Sequence, residues 1–166
     1  MICKSLLFLF LGLISTVWLD QAVKHWVIET IPLETEIPIL PFLSLYHVRN
    51  SGIAFSLFSS FPHWGLIVLT SIIILFLLWL WKDIALRKSL SRFGVILIIG
   101  GAIGNLIDRI RFHFVTDYIL FYIDGFFYFA IFNIADAFIT LGVIVILIDE
   151  LYLWRKTKNC IDKPFS

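Results

Sequence analysis

Residues 64–81 read WGLIVLTSIIILFLLWLW, eighteen consecutive positions without an ionisable side chain. At 1.5 Å of rise per residue this stretch makes a helix about 27 Å long, close to the thickness of the hydrocarbon core of a bilayer. Strict alternation of apolar and polar residues is absent, which argues against a membrane β-barrel strand. On either side lie three more apolar runs. Ser5–Ile28 is broken mainly by Asp20 and Lys24, Phe93–Ile110 is apolar as far as Asp108, and Ile134–Trp154 is apolar between Asp136 and Asp149. The whole chain of 166 residues is 60% hydrophobic and only 15% charged, with mean hydropathy +0.97. A soluble domain of this length needs far more polar surface, so the class is integral membrane.

The charges orient the runs. Lys4, Lys82, Arg87, Lys88, Arg92, Arg155, Lys156, Lys158 and Lys163 all fall on one side of the four spans. Basic residues mark the cytoplasmic side, so both termini are expected there. The first run is read as an uncleaved helix, because no small-x-small site follows it and the chain continues into Val17-Trp18-Leu19-Asp20. Cys3 and Cys160 then lie in a reducing compartment without metal-ligand neighbours and are read as bystanders.

Two segments project from the opposite side. The first, about residues 29–63, carries Pro32, Pro38, Pro41 and Pro62, which disfavour a long helix. Phe42–Val48 and Ile53–Phe58 read as short strands around a turn at Arg49-Asn50-Ser51-Gly52. The second, about 111–133, is crowded with Phe and Tyr, and reads as an interfacial anchor, a lid over a site, or both. The expected fold is all-α and membrane-embedded: one domain over residues 1–166, four transmembrane helices, a small extracytoplasmic β-sheet and an interfacial aromatic segment.

Polar residues within the spans are unevenly placed. Measured along ideal helices, Asp20 and Asp108 lie about 24 Å, and Asn105 and Asp136 about 20 Å, from the basic side. All belong to the outer third of the membrane. A conduction path needs polar groups along its whole length, so a pocket opening outward is expected rather than a channel or pump.

Asp20 and Lys24 are four residues apart and share a helix face, either as a buried ion pair or as a partial hold on a polar substrate group. Asn105, Asp108 and Arg109 share another face behind the small-residue run Gly100-Gly101-Ala102-Ile103-Gly104, which permits close helix approach. Arg109 is expected to keep Asp108 ionised. Asn133 and Asp136 stand at the start of the fourth span, where either can cap the helix. Asp117 follows the third span, and Asp124 reads as a turn residue. Two carboxylates sharing one proton can hydrolyse a peptide bond, and Asp117 with Asp136 is the candidate pair, although spacing alone does not bring them together. His25, His47, His63 and His113 have no metal-binding spacing, and neither a nucleophile elbow nor a phosphate loop is present. A lipid-binding or assembly protein using the aspartates as polar glue is the main alternative, and a proton-coupled transporter a weaker one.

Five blocks in order resemble the bacterial lipoprotein signal peptidases (signal peptidase II): Asp20-Gln21-Ala22-Val23-Lys24, Arg49 to Phe55, Gly100 to Arg109, Val115-Thr116-Asp117-Tyr118 and Phe132 to Asp136. The resemblance implies an aspartic endopeptidase of the bacterial inner membrane, active site facing outward. Its substrates would be prolipoproteins cut before a diacylglyceryl-modified cysteine. By motif, Asp117 and Asp136 take the catalytic positions, Asn50, Asn105, Arg109 and Asn133 contact substrate, and Asp20, Lys24 and Asp108 support them. Neither cofactor nor metal is implied, the partners are prolipoprotein and membrane lipid rather than nucleic acid, and a monomer is expected. Phe127-Tyr128-Phe129-Ala130-Ile131 stands where many members carry Trp and Pro, and Ala137 replaces a common serine.

Overall fold

The structure, a computed structural model, describes residues 2–52, 63–87, 90–123 and 125–161. The expected strand at Ile53–Phe58, the turn residue Asp124, and Lys88 and Lys163 lie outside these residues, as do the side chains of Cys3, Arg87 and Cys160. In chain order the elements are α1 (Ile2–Thr30), β1 (Glu36–Leu40), β2 (Leu43–Asn50), α2 (His63–Arg87), α3 (Ser91–Phe112), β3 (Val115–Ile123), β4 (Phe127–Tyr128) and α4 (Ile134–Ile161).

Among the described residues, three helices are long and apolar enough to cross a membrane: α1 over Lys4–Thr30, α2 over Trp64–Ile84 and α3 over Ser91–Phe112. The most apolar part of α3 is 61% buried against 17% for α1 and α2, which makes α3 the central helix. Its small residues permit this. A Cβ on Gly94 would stand 2.7 Å from the carbonyl of Gly142 in α4, and one on Gly142 would stand 2.5 Å from the carbonyl of Gly94. The two backbones therefore touch directly. In lipid, helices associate through such packing rather than through a hydrophobic drive. Gly142→Val should push α4 off α3 and lower the unfolding midpoint in detergent, at a cost of about 1–3 kcal/mol. An unchanged midpoint would show that the contact tolerates separation.

Against α1, α3 packs Leu9, Val95, Ile96 and Ile99 in one buried cluster that reaches Ile74 and Trp81 of α2. At its N-terminus α3 lacks a side-chain cap of its own. Asp149 of α4 supplies one, accepting from the Ser91 backbone N–H at 2.9 Å and from its hydroxyl at 2.5 Å.

At the opposite end of the helices sits one antiparallel sheet in the order β1-β2-β3-β4. The aromatic segment is therefore not merely an anchor or lid. Its first half is β3, built from the β-branched and aromatic residues that suit a pleated, half-buried surface. Within the described residues β2 pairs with β1 and β3, Val48 facing Asp117 and Arg49 facing Thr116. Arg49 and Asn50 consequently belong to a strand rather than a turn. The cause is topological: the α1–α2 and α3–α4 connections leave the same end of the bundle, so segments far apart in sequence become neighbours.

Candidate active site

Lys24 anchors the polar end of the bundle. Its ammonium lies 3.0 Å from Asp20, 2.9 Å from Asp108 and 2.9 Å from the amide oxygen of Asn105. An ammonium has three donors, and all three are engaged. The ion pair between Asp20 and Lys24 is thus present, and it reaches further than one helix face. Asp108 draws its cation from Lys24 on α1, and the structure corrects the expectation that Arg109 would serve it: Arg109 instead donates to the Gly52 carbonyl at 3.3 Å. The guanidinium is attracted by the carboxylates of Asp136, Asp117 and Asp108, in that order.

Both acids in this cluster are otherwise satisfied. Asp20 accepts from the Ala135 backbone N–H at 3.1 Å, tying α1 to the start of α4. Asp108 accepts from the Thr116 backbone N–H at 3.1 Å, tying α3 to β3. Gln21 donates to Asp108 at 3.0 Å and to the Gly104 carbonyl at 3.2 Å. Gly104 itself admits no side chain, because a Cβ there would collide with the Asp20 carboxylate.

Asn105 passes this arrangement on. With its oxygen committed to Lys24, its Nδ2 is left to donate to Asp136 at 2.8 Å. Asn133 and Asp136 close a reciprocal cap on α4. The Asp136 N–H reaches the Asn133 side-chain oxygen at 3.0 Å, and the Asn133 N–H reaches the Asp136 carboxylate at 3.2 Å. Asn133 is therefore the cap residue, and Asp136 fills the third helical position of a capping box. The Tyr118 phenol oxygen accepts the next backbone N–H, of Ile134, at 3.2 Å. Burial pushes this phenol above its ordinary range and keeps it neutral.

The Asn133 side-chain nitrogen donates to Asp117 at 2.6 Å, and Asn50 donates to the other Asp117 oxygen at 2.7 Å. One asparagine thus contacts both candidate aspartates, through its side chain on Asp117 and its backbone on Asp136. Both line a cavity of about 760 Å³ that runs from Asn50 and Arg109 down between apolar side chains of α2, α3 and α4, including Leu69, Ile73 and Ile139. Among the described residues neither forms a salt bridge. Burial pushes the Asp117 carboxyl up to about 6. The Asn50 amide pulls it down, the Asp136 charge pushes it up, and Asn133 and Lys24 pull it down.

Sequence comparison covers most of the chain. The family model described as signal peptidase (SPase) II matches residues 13–152. The chain belongs to the signal peptidase II family. Similar relatives include the lipoprotein signal peptidase of Bartonella tribocorum, 74% identical over 159 residues, covering 96% of this chain and 95% of that protein. That of Brucella ovis is 43% identical over 145 residues, covering 87% and 90%. A solved bacterial membrane enzyme, determined by the in meso method, superposes with a TM-score of 0.81 at 31% identity, covering 96% of this chain and 94% of its own. The chain is accordingly a bacterial membrane protein of a peptidase family.

All nine residues singled out from the sequence meet in this one place. Asp117 and Asp136 face the cavity, with Asn50, Asn105, Arg109 and Asn133 around them, and Asp20, Lys24 and Asp108 sit behind. The contributions of Thr116 and Tyr118 escaped the sequence reading. Both act from within a strand whose pairing is set by residues some seventy positions away. Gln21 was visible only as a neighbour of Asp20.

Proposed function

We propose that the protein is an aspartic endopeptidase that removes signal peptides from prolipoproteins, cutting before a diacylglyceryl-modified cysteine. The observation that carries this reading is the joint hold of Asn133 on Asp117 and Asp136 at the mouth of an apolar cavity. The pair shares one proton. The ionised carboxylate takes a proton from water, whose oxygen attacks the scissile carbonyl carbon, while the protonated partner hydrogen-bonds the carbonyl oxygen. Collapse of the tetrahedral adduct breaks the C–N bond and returns a proton to the leaving amine of the cysteine. The mechanism needs no metal and no covalent enzyme intermediate. Arg109 balances the negative charge of the pair, and Asn50, Asn105 and Asn133 fix its orientation.

The single domain sits in the bacterial inner membrane as a monomer, both termini cytoplasmic and the sheet outside. We take α4 as a fourth span, because it lies against the crossing helix α3 from Gly94–Gly142 to Gly101–Ala135. The apolar cavity then opens toward lipid beside α2, where acyl chains can stay in the bilayer during cleavage. Purified protein in detergent should cleave a diacylglyceryl-modified prolipoprotein peptide immediately before the cysteine and spare the unlipidated peptide. A folded protein that binds the lipopeptide without cutting it would be a binding protein instead.

The rate should depend on pH with two limbs, which belong to the pair rather than to either acid. The Asn50 amide stabilises the charged form of Asp117. Asn50→Ala removes that donor, so Asp117 holds its proton to higher pH and the alkaline limb moves up by about one pH unit. A limb that stays in place, or moves down, would contradict the pairing of Asn50 with a titrating Asp117.

A further inference from the structure

Asp117 lines a second cleft besides the apolar cavity. This one, of about 460 Å³, lies between Val48–Gly52 at the end of β2 and Tyr128–Ile131 beyond β3. The proposed reaction places three groups around the scissile bond. Signal peptide and acyl chains are apolar and belong in lipid, on the side of the large cavity. The polypeptide after the cysteine is the third, and it must leave toward water. The second cleft has the features for it. Among the described residues, Ala130 and Ile131 make no backbone hydrogen bonds, so an extended chain can pair with them by strand addition.

Apart from Asp117, Arg49 is the only charged side chain among the described residues that line this cleft. It is exposed, and its guanidinium lies 4.9 Å from the centre of the Phe114 ring. Cation–π attraction draws the head group toward that ring. No carboxylate among the described residues neutralises it. A cation without an ion pair among the described residues, placed beside the exit of the product chain, discriminates by charge.

We propose that this cleft receives the polypeptide that follows the scissile bond, and that Arg49 favours substrates with an acidic side chain in the first positions after the lipidated cysteine. The inference rests on the peptidase reading above and adds a specificity-determining residue to it.

The test uses the full-length protein in nonionic detergent and three lipopeptides that differ only at the second position after the cysteine, carrying Asp, Asn or Lys. Within each enzyme variant the quantity read is the ratio of kcat/KM values, so a general loss of activity does not disturb it. Wild type should rank Asp over Asn over Lys, with about three- to tenfold between the extremes, as expected for exposed charge pairs of either sign. Added salt should shrink that ratio. Arg49→Lys should preserve the order, Arg49→Gln should flatten it, and Arg49→Glu should reverse it. Equal rates for the three peptides in wild type, or an order unchanged in Arg49→Glu, would overturn the assignment while leaving the peptidase reading intact. Failure of wild type to cleave any of the lipopeptides would overturn both.

Discussion

Asp117→Asn and Asp136→Asn should each abolish cleavage, lowering kcat/KM by at least about a thousandfold, some 4 kcal/mol of transition-state stabilisation. An amide neither takes a proton from water nor carries one to a leaving amine, so neither role of the pair survives. Stability separates this loss from misfolding, and for Asp117 it has a predictable sign. Its carboxyl is raised from 3.8 to about 6 in the folded protein. The folded state therefore binds the proton more tightly than the unfolded chain. The associated stability is complete below pH 3.8 and is lost as pH rises through about 6. Above that, the ionised buried carboxylate costs up to about 3 kcal/mol. Asp117→Asn removes the cost but cannot accept from both Asn50 and Asn133 with one oxygen, a loss of about 1 kcal/mol. The variant should thus be inactive yet more stable than wild type at pH 8, and slightly less stable at pH 4. Thermal unfolding in detergent at the two pH values, together with the lipopeptide assay, reads both effects. Retained cleavage in either variant would remove that aspartate from the chemistry. A variant that unfolds more easily at pH 8 would mean that Asp117 is held as a favourable, structural carboxylate.

The membrane class, the helices and the cluster of polar residues were legible because each leaves a local mark. An apolar run has a length, and a buried charge interrupts it. The spacing of Asp20 and Lys24, and of Asn133 and Asp136, fixes which side chains share a helix face, and both pairs interact as that spacing requires. Strand pairing leaves no such mark. Val48 faces Asp117 only because two connections emerge from one end of the bundle, and no local pattern in either segment specifies the other. The same limit explains the mistaken partner of Asp108. Adjacency in sequence suggested Arg109, whereas neighbouring helical residues point about 100° apart, and the cation that reaches Asp108 comes from another helix. Local chemistry thus identified the members of the site, and long-range topology decided how they are joined.

Lys24→Met should be the most damaging single change to the fold. It keeps the length of the side chain but removes the one cation between Asp20 and Asp108, both fully buried. Breaking a buried ion pair from one side costs about 3–5 kcal/mol, because the remaining charge loses its compensation. Here two carboxylates are left. The damage also reaches the reacting pair. Asn105 turns its oxygen toward Lys24 and therefore its nitrogen toward Asp136. Without the ammonium, only the Asn133 amide at 3.2 Å from that oxygen and the Asp136 carboxylate hold the orientation, and an amide that flips presents oxygen to a carboxylate. Lys24→Arg should not restore the wild type, since a planar fork does not match three acceptors arranged around an ammonium. The informative rescue is the neutral combination of Lys24→Met with Asp20→Asn and Asp108→Asn. Both asparagines can still accept from the Ala135 and Thr116 backbone groups, and no uncompensated charge remains. Stability in detergent should then recover by several kcal/mol, whereas activity should recover less, because Asn105 has lost its contact with the ammonium. If Lys24→Met alone unfolds at the wild-type temperature, the ion pairs do not hold this end of the bundle together. If the triple variant regains full activity along with stability, Asn105 is oriented by its other contacts, and the role of Lys24 ends at the charge balance.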